Sequence, residues 1–116
     1  RRSSDLEITM KMKTVRTSAL KYAKRVRILT SEYADGSLYV GILTMSGEDY
    51  CDITTNLVGF YFPHQAYVEC GSEAEAFLCE QEIATPCALT LQSGFNTYRL
   101  YDFTPLLNDP AMKEVS

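Results

Sequence analysis

The sequence predicts an α+β fold in which a single antiparallel, twisted sheet of five to six strands carries one main helix. Three observations predict it. Residues 21–30 alternate between apolar and cationic positions, which is typical of a half-buried strand. Asp35-Gly36 is a dipeptide of tight hairpin turns, because glycine accepts positive φ without steric cost. Ser72 and Glu75 have the spacing of a helix capping box, which predicts where the helix begins.

The remaining elements follow from hydrophobic patterning and turn residues. Residues 38–45 are apolar on both faces, so we expect a central strand that is covered on both sides. The helix is expected to pack Phe77 and Leu78 on the sheet. Residues 12–20 fit either a short helix or an extra strand. The other predicted features are strands at 50–57 and 66–70, a helix end at Thr85-Pro86, and a second hairpin whose strands, 87–92 and 97–103, flank a four-residue loop.

One domain is expected to span residues 10–108, since 116 residues is near the usual size for a single hydrophobic core. Residues 1–9 are interpreted as a vector-derived or disordered N-terminus, and residues 109–116 as a frayed tail. The longest apolar runs are far shorter than the roughly 20 residues that a membrane-spanning helix needs. Because residues 1–9 also lack the apolar core of a secretory signal, we expect a cytoplasmic protein without membrane contact.

The cysteines and the histidine of this sequence form no recognisable catalytic or metal-binding motif. Four cysteines, at positions 51, 70, 79 and 87, include no C-x-x-C pair. We therefore expect buried free thiols, with zinc binding and a disulfide as weaker alternatives. His64 is the single histidine, and a Cys-His hydrolase would need a cysteine and an orienting acid beside it. We therefore expect a protein that is not an enzyme and has no cofactor and no small-molecule substrate.

Charge is divided unevenly along the chain. Residues 1–30 carry nine Lys or Arg against two acids, whereas residues 31–116 carry two basic residues against thirteen acids. One interpretation is internal: the basic strand pairs beside acidic strands and its charge is cancelled. A second interpretation is an acidic face that imitates nucleic acid toward a basic partner. A third is contact between the basic segment and phosphate.

Three groups of residues are candidates for binding. Acids at a turn and on the helix are either solvated or a contact surface for a basic partner. Arg99 lies between two tyrosines and is either a cross-strand ion pair, with Asp52 or Glu69, or an interface anchor. The partner-binding candidates are Glu48, Asp49, Asp52, Glu73, Glu75, Glu80, Arg99, Tyr98 and Tyr101. The alternative nucleic-acid-binding set is Lys21, Lys24, Arg25 and Arg27, to which Lys13 and Arg16 can be added.

Two stretches carry a family resemblance, "DGSLYVGILTMSGEDYCDITTNL" (35–57) and "QAYVECGSEAEAFLCEQEIATPCALTLQSGFNTYRLYDF" (65–103). They resemble a small family of unknown function from Firmicutes plasmids, conjugative elements and prophages. Its pattern is similar: "LYVGLL", an acidic turn, an "LTVNL"-like strand, a short helix, then "SGF" and "YxLYxF". The chain departs from the family in having no tryptophan near the acidic turn.

The resemblance implies an accessory protein of a mobile element. Small acidic proteins of this kind also resemble anti-CRISPR inhibitors of type II-A systems, which bind Cas9 or its guide RNA complex without a cofactor. It follows as an expectation that the helix and the 46–52 turn form an acidic face, which competes with guide RNA or target DNA for a basic groove. The alternative is a nucleic-acid-binding accessory protein that uses the basic N-terminal strand.

Overall fold

A computed structural model describes residues 10–33, 36–55, 57 and 64–114, which form two antiparallel sheets and two helices. The elements in chain order are β1 (Lys11–Arg16), β2 (Arg25–Glu32), β3 (Leu38–Thr44), β4 (Asp49–Asp52), β5 (Gln65–Glu69), α1 (Glu73–Gln81), β6 (Thr85–Ser93), β7 (Asn96–Asp102), α2 (Thr104–Leu107) and β8 (Lys113–Glu114). The α+β class is confirmed. The undecided N-terminal segment contains a strand, β1.

The prediction of a single sheet is wrong. Five strands form a large sheet in the order β4-β3-β2-β1-β8, and three form a small sheet in the order β5-β7-β6. The sheets separate because the strand after β4 pairs with β7 instead of β4. They stay connected through the backbone: the N–H groups of Ile53 and Thr54 donate to the Val40 carbonyl, and Thr55 bridges Tyr67 of β5.

Both sheets and α1 contribute to one main hydrophobic core. In β2 the predicted alternation is confirmed, since Val26 and Ile28 are fully buried while Arg25 is exposed and Arg27 half-buried. Each such buried aliphatic side chain contributes about 1.5–3 kcal/mol relative to an exposed one. The core also contains Val40, Ile42, Phe77, Leu78, Tyr101 and Phe103. The large sheet therefore has one face against the core. Its other face is exposed or half-buried on β1 and β2, whereas Gly41 and Leu43 of β3 are buried there, so this strand is largely covered on both sides as predicted.

The main helix begins as predicted. Ser72 is its N-cap, and its side-chain oxygen accepts a hydrogen bond from the Glu75 N–H at 3.1 Å. The Glu75 carboxylate accepts from the N–H of Gly71, one residue before the cap, at 2.8 Å. The helix ends at Gln81, earlier than predicted, because Glu82 adopts a left-handed conformation with φ 55°.

The remaining predictions have mixed outcomes. Pro86 lies in β6, an edge strand, where a missing N–H is tolerated. The second hairpin is confirmed as β6 and β7, but its turn is tighter than predicted, since Ser93 pairs directly with Asn96. The predicted third strand is shorter, and β4 covers Asp49–Asp52. Residues 113–114, assigned from sequence to a frayed tail, pair with β1. Asp35 and Pro63 lie outside the described residues.

Candidate functional site

The solvent-facing side of the large sheet collects charged residues from several strands. In an antiparallel pair, directly opposed residues share a face, so the strand registers define which side chains lie there. We call this side the outer face. It carries, from β8 to β4, Lys113, Met12, Thr14, Arg16, Arg25, Arg27, Leu29, Ser31, Tyr39, Gly41, Leu43, Asp49 and Asp52. Its cations lie mainly on β1 and β2, and its carboxylates lie on β4.

The cationic part is centred on an opposed arginine pair. Arg16 of β1 lies directly opposite Arg25 of β2, and both side chains are exposed. Lys24 adjoins them, since the Thr17 N–H donates to the Lys24 carbonyl at 2.9 Å and extends the strand pairing by one step. We define the basic patch as Arg16, Lys21, Lys24, Arg25 and Arg27. It contains all four residues of the alternative nucleic-acid-binding set.

The strand order does not provide the internal cancellation of charge that was one interpretation of the sequence. Strand β2 lies between β1 and β3, so the carboxylates of β4 are separated from it by a whole strand. Within the part of the chain that the structure describes, no carboxylate forms an ion pair with the basic patch. Lys13 differs because it points to the inner face and pairs with Asp109, whose pKa this contact lowers.

Glu80 of α1 holds the β1–β2 loop, residues 17–24. Its carboxylate accepts hydrogen bonds from the Thr17 hydroxyl at 2.5 Å, the Ser18 hydroxyl at 2.6 Å and the Ser18 N–H at 2.8 Å. The hydrogen bonds from the Ser18 hydroxyl and then from Thr17 lower the pKa of Glu80 to about 2. Glu80 therefore positions the loop that carries part of the basic patch.

The other two helix acids are also engaged inside the molecule. Glu73 accepts from the N–H of Lys21 and from the Tyr50 hydroxyl, the latter at 3.2 Å. Glu75 accepts from the Tyr101 hydroxyl at 2.7 Å, and burial followed by this contact raises the pKa of Tyr101. The acidic helix face expected from the sequence is thus largely used for internal hydrogen bonds.

The acidic turn is more open. Glu48, Asp49 and Asp52 are all exposed at the β4 edge. Asp52 accepts a hydrogen bond from the Tyr39 hydroxyl at 2.7 Å, and the Tyr39 side chain lies across Gly41, where an added Cβ would approach that hydroxyl to 2.1 Å. Burial, together with the hydrogen bond to Asp52, raises the pKa of Tyr39. These three carboxylates are the part of the partner-binding set that remains available on the surface.

Arg99 forms a hydrogen bond inside the molecule instead of the cross-strand ion pair that was one interpretation of the sequence. Its guanidinium donates to the Cys87 carbonyl at 3.0 Å, where the pairing of β6 with β7 becomes irregular between Pro86 and Thr90. It forms no ion pair with a carboxylate of the described residues. Tyr98 and Tyr101 are 9% and 3% exposed, so they pack in the interior and do not flank a surface anchor. Tyr98 packs in a small cluster with Tyr67 and Leu100, whereas Tyr101 belongs to the main core.

The cysteines are free thiols, but they are less buried than expected. Cys79 is exposed and the other three are half-buried. Burial, and to a lesser extent the charges of Glu73 and Asp52, raises the pKa of Cys51 to about 11. Among the described residues, no group of three or more His, Cys, Asp or Glu side chains is arranged to hold a metal ion. The helices in that same part of the chain are all too short or too polar to cross a membrane.

Sequence reasoning missed one residue of this region. Tyr22, in the β1–β2 loop, is 83% exposed, and the Lys21 ammonium lies 5.9 Å from its ring centroid. The signal was present in "KYAKR" (21–25), where an aromatic residue is flanked by cations. It was overlooked because the alternation from 21 to 30 suggested that the whole segment is a strand, whereas β2 begins at Arg25.

Fold and site together define a two-sheet α+β protein whose distinguishing feature is a charged sheet face. The chain belongs to the family described as Domain of unknown function (DUF4313), which it matches over residues 28–108. The match covers β3 to α2 and most of β2, and β1 and the β1–β2 loop precede it. Neither a curated protein nor a solved structure matches the chain significantly.

Proposed function

We propose that this protein binds nucleic acid through the basic patch, with Arg16 and Arg25 contacting the phosphate backbone. The observation that supports this best is the direct opposition of these two exposed arginines in the β1–β2 register. Like charges that face each other across a strand pair destabilise it. Phosphates bound to the two guanidinium groups offset this repulsion, because each phosphate carries one negative charge.

The spacing of the patch suits a polymer with regularly placed anions. Arg25 and Arg27 are two positions apart on one strand, so their side chains leave the same face about 7 Å apart. Guanidinium groups bind phosphate oxygens through paired N–H donors, which favours arginine over lysine for this contact. One strand of nucleic acid laid along the patch can therefore contact several cations in succession.

The charge of the remaining chain limits where nucleic acid can bind. Residues 31–116 carry thirteen acids against two basic residues, so most of the surface repels phosphate. Binding is confined to β1, the β1–β2 loop and the start of β2. Its affinity is expected to fall with salt, because neutralised phosphates release their counterions.

The test is the fluorescence anisotropy of labelled DNA and RNA oligonucleotides at low salt. Arg25→Gln is expected to weaken binding about tenfold, the equivalent of one charged hydrogen bond. Lys13→Gln is the matched control, since it removes the same charge from the neighbouring strand but on the inner face, where Lys13 pairs with Asp109. The proposal fails if the wild-type protein binds no oligonucleotide, or if both variants bind equally weakly.

A second candidate function is inhibition of a Cas9-like nuclease by a protein of a mobile element. The observation that favours it is the exposure of Glu48, Asp49 and Asp52 together at the β4 edge. These carboxylates would occupy a basic nucleic-acid groove of the nuclease and compete with guide RNA or target DNA. The helix acids contribute little to this surface, because Glu73, Glu75 and Glu80 accept internal hydrogen bonds.

The second candidate is tested by a pull-down with Cas9, with and without guide RNA, followed by a DNA cleavage assay. Charge reversal of Glu48 and Asp49 to lysine is expected to slow association and to weaken inhibition. Asp52→Asn is combined with these two substitutions. It is a milder change, because the amide oxygen still accepts the hydrogen bond from the Tyr39 hydroxyl. Unaltered cleavage in the presence of wild-type protein rules this function out.

A further inference from the structure

The β1–β2 loop holds an aromatic ring in solvent on a fixed backbone. Tyr22 is 83% exposed, yet its own backbone and the residues before it are held by other parts of the chain. Its own N–H donates to the Tyr50 hydroxyl at 3.1 Å, and the N–H of Lys21 donates to Glu73. At the start of the loop, Ser18 is held by Glu80. The ring is thus positioned by contacts that its own side chain does not make.

The anchoring residues come from distant parts of the chain. Glu73 and Glu80 lie on α1 and accept hydrogen bonds from Lys21 and Ser18, which are 52 and 62 positions away in the sequence. Tyr50 lies on β4. A loop that is already ordered loses little further backbone entropy when it binds a ligand. The anchored loop therefore presents the Tyr22 ring on a preorganised backbone.

One cation lies beside the exposed ring, and others follow it along the chain. The Lys21 ammonium lies 5.9 Å from the ring centroid, and Lys24 and Arg25 follow within three positions. Ser18 lines both the hollow that contains Lys21 and Tyr22 and the hollow that contains Arg16, Lys24 and Arg25, so the ring and the arginine pair lie on adjoining parts of the surface. An aromatic face beside a row of cations is the combination with which proteins bind single-stranded nucleic acid, stacking the bases and pairing the phosphates.

We propose that Tyr22 is a stacking platform for an unpaired base and that the ligand of the basic patch is a single strand of nucleic acid. The inference rests on the proposed function and adds the class of ligand to it. In a duplex the bases are stacked on one another, and a tyrosine ring at the surface has no free base to contact. A single strand offers a base to Tyr22 and its phosphates to Lys24, Arg25 and Arg16.

The test compares three labelled probes by fluorescence anisotropy: a single strand, the same strand made abasic, and the corresponding duplex. The wild-type protein is expected to bind the single strand more tightly than the abasic strand, because both carry the same phosphates but only one can stack. Tyr22→Ala is expected to weaken single-strand binding about 5- to 150-fold and to leave abasic binding unchanged. Tyr22→Phe retains an aromatic face and is expected to bind as the wild type does.

The outcomes separate this inference from the proposed function. If the single and abasic strands bind equally, or the duplex binds as tightly as the single strand, stacking on Tyr22 is refuted while phosphate binding by the patch stands. If none of the probes binds at low salt, both are refuted. DNA and RNA versions of the single strand decide which of the two is preferred. Because Tyr22 is exposed, Tyr22→Ala is expected to unfold at the wild-type temperature, which circular dichroism verifies.

Discussion

Replacing Arg16 and Arg25 together by glutamine is expected to make the protein more stable and a weaker binder. The two guanidinium groups lie directly opposite each other and are exposed, so their repulsion amounts to about 0.2–1 kcal/mol. Relief of about 0.5 kcal/mol raises the melting temperature by roughly 2 °C for a domain of this size. The chain has no tryptophan, so far-UV circular dichroism during thermal unfolding is the appropriate measurement.

The same double variant is expected to reduce the salt dependence of binding. If the five cations of the basic patch each neutralise one phosphate of a single strand, the slope of log K against log salt is about −3.5, and removing two cations lowers it to about −2.1. Between 50 and 200 mM salt the wild-type affinity therefore falls about 130-fold and that of the variant only about 18-fold. Anisotropy titrations at several salt concentrations give both slopes.

The two measurements are informative in combination. If the basic patch serves binding, the double variant is more stable than the wild type, and its affinity depends less on salt. A variant that loses more than about 1 kcal/mol of stability would show that the arginines support the fold, which contradicts the repulsion argument. An unchanged slope would show that phosphate binds elsewhere. Lys13→Gln provides the contrast, because loss of its pairing with Asp109 is expected to lower stability and leave the slope unaltered.

Three further predictions concern the framework of the site. Glu80→Gln is expected to cost about 1–2 kcal/mol at neutral pH, allowing for its exposure, and to flatten the stability profile in acid. The pKa of Glu80 is about 2 in the folded protein against an ordinary 4.5, so its contribution is complete above 4.5 and is lost as pH falls toward 2; urea unfolding across this range measures it. Gly41→Ala is expected to displace the Tyr39 side chain and to cost about 1 kcal/mol net in urea unfolding, since the hydroxyl loses its hydrogen bond. Arg99→Met is expected to cost about 1–2 kcal/mol in the same measurement, because the Cys87 carbonyl loses its donor.

Each of these has a matched control. Glu82→Gln removes the same charge near the end of the helix without touching the β1–β2 loop, and an equal effect would refute the role of Glu80. Tyr39→Phe removes the hydroxyl but keeps the ring, so Gly41→Ala in that background should cost less. An undiminished cost would show that displacement of the ring, whose Cζ an added Cβ would approach to 2.7 Å, sets the cost instead of the lost hydrogen bond. Arg99→Lys retains the charge without the planar donor group, and full stability in Arg99→Met would contradict the importance of the Cys87 contact.

Features decided by neighbouring residues were predictable from the sequence. Alternation placed Val26 and Ile28 in the core, and Ser72 capped the helix where its spacing to Glu75 indicated. The turn between β6 and β7 followed from Gly94, whose φ of 64° needs no side-chain adjustment. In each case the residues that determine the structure lie within a few positions of one another, so the local sequence pattern is sufficient to predict it.

The roles of the charged residues were not predictable in the same way. The helix acids have the same sequence pattern whether they are solvated, bind a partner or hold a loop. Glu73 and Glu80 hold the β1–β2 loop because folding brings α1 beside it from more than 50 positions away. Arg99 lies opposite Val68 and Thr90, and no rule of spacing selects the Cys87 carbonyl as its acceptor.

The sequence by itself determined the α+β class, most of the strands and the uneven charge, because these depend on local propensity and composition. The tertiary structure alone decided that there are two sheets and that the basic strands β1 and β2 lie side by side, away from the carboxylates of β4. Strand pairing is a choice among distant partners with similar local patterns. It is settled by which arrangement buries the common core, and that choice places Arg16 opposite Arg25.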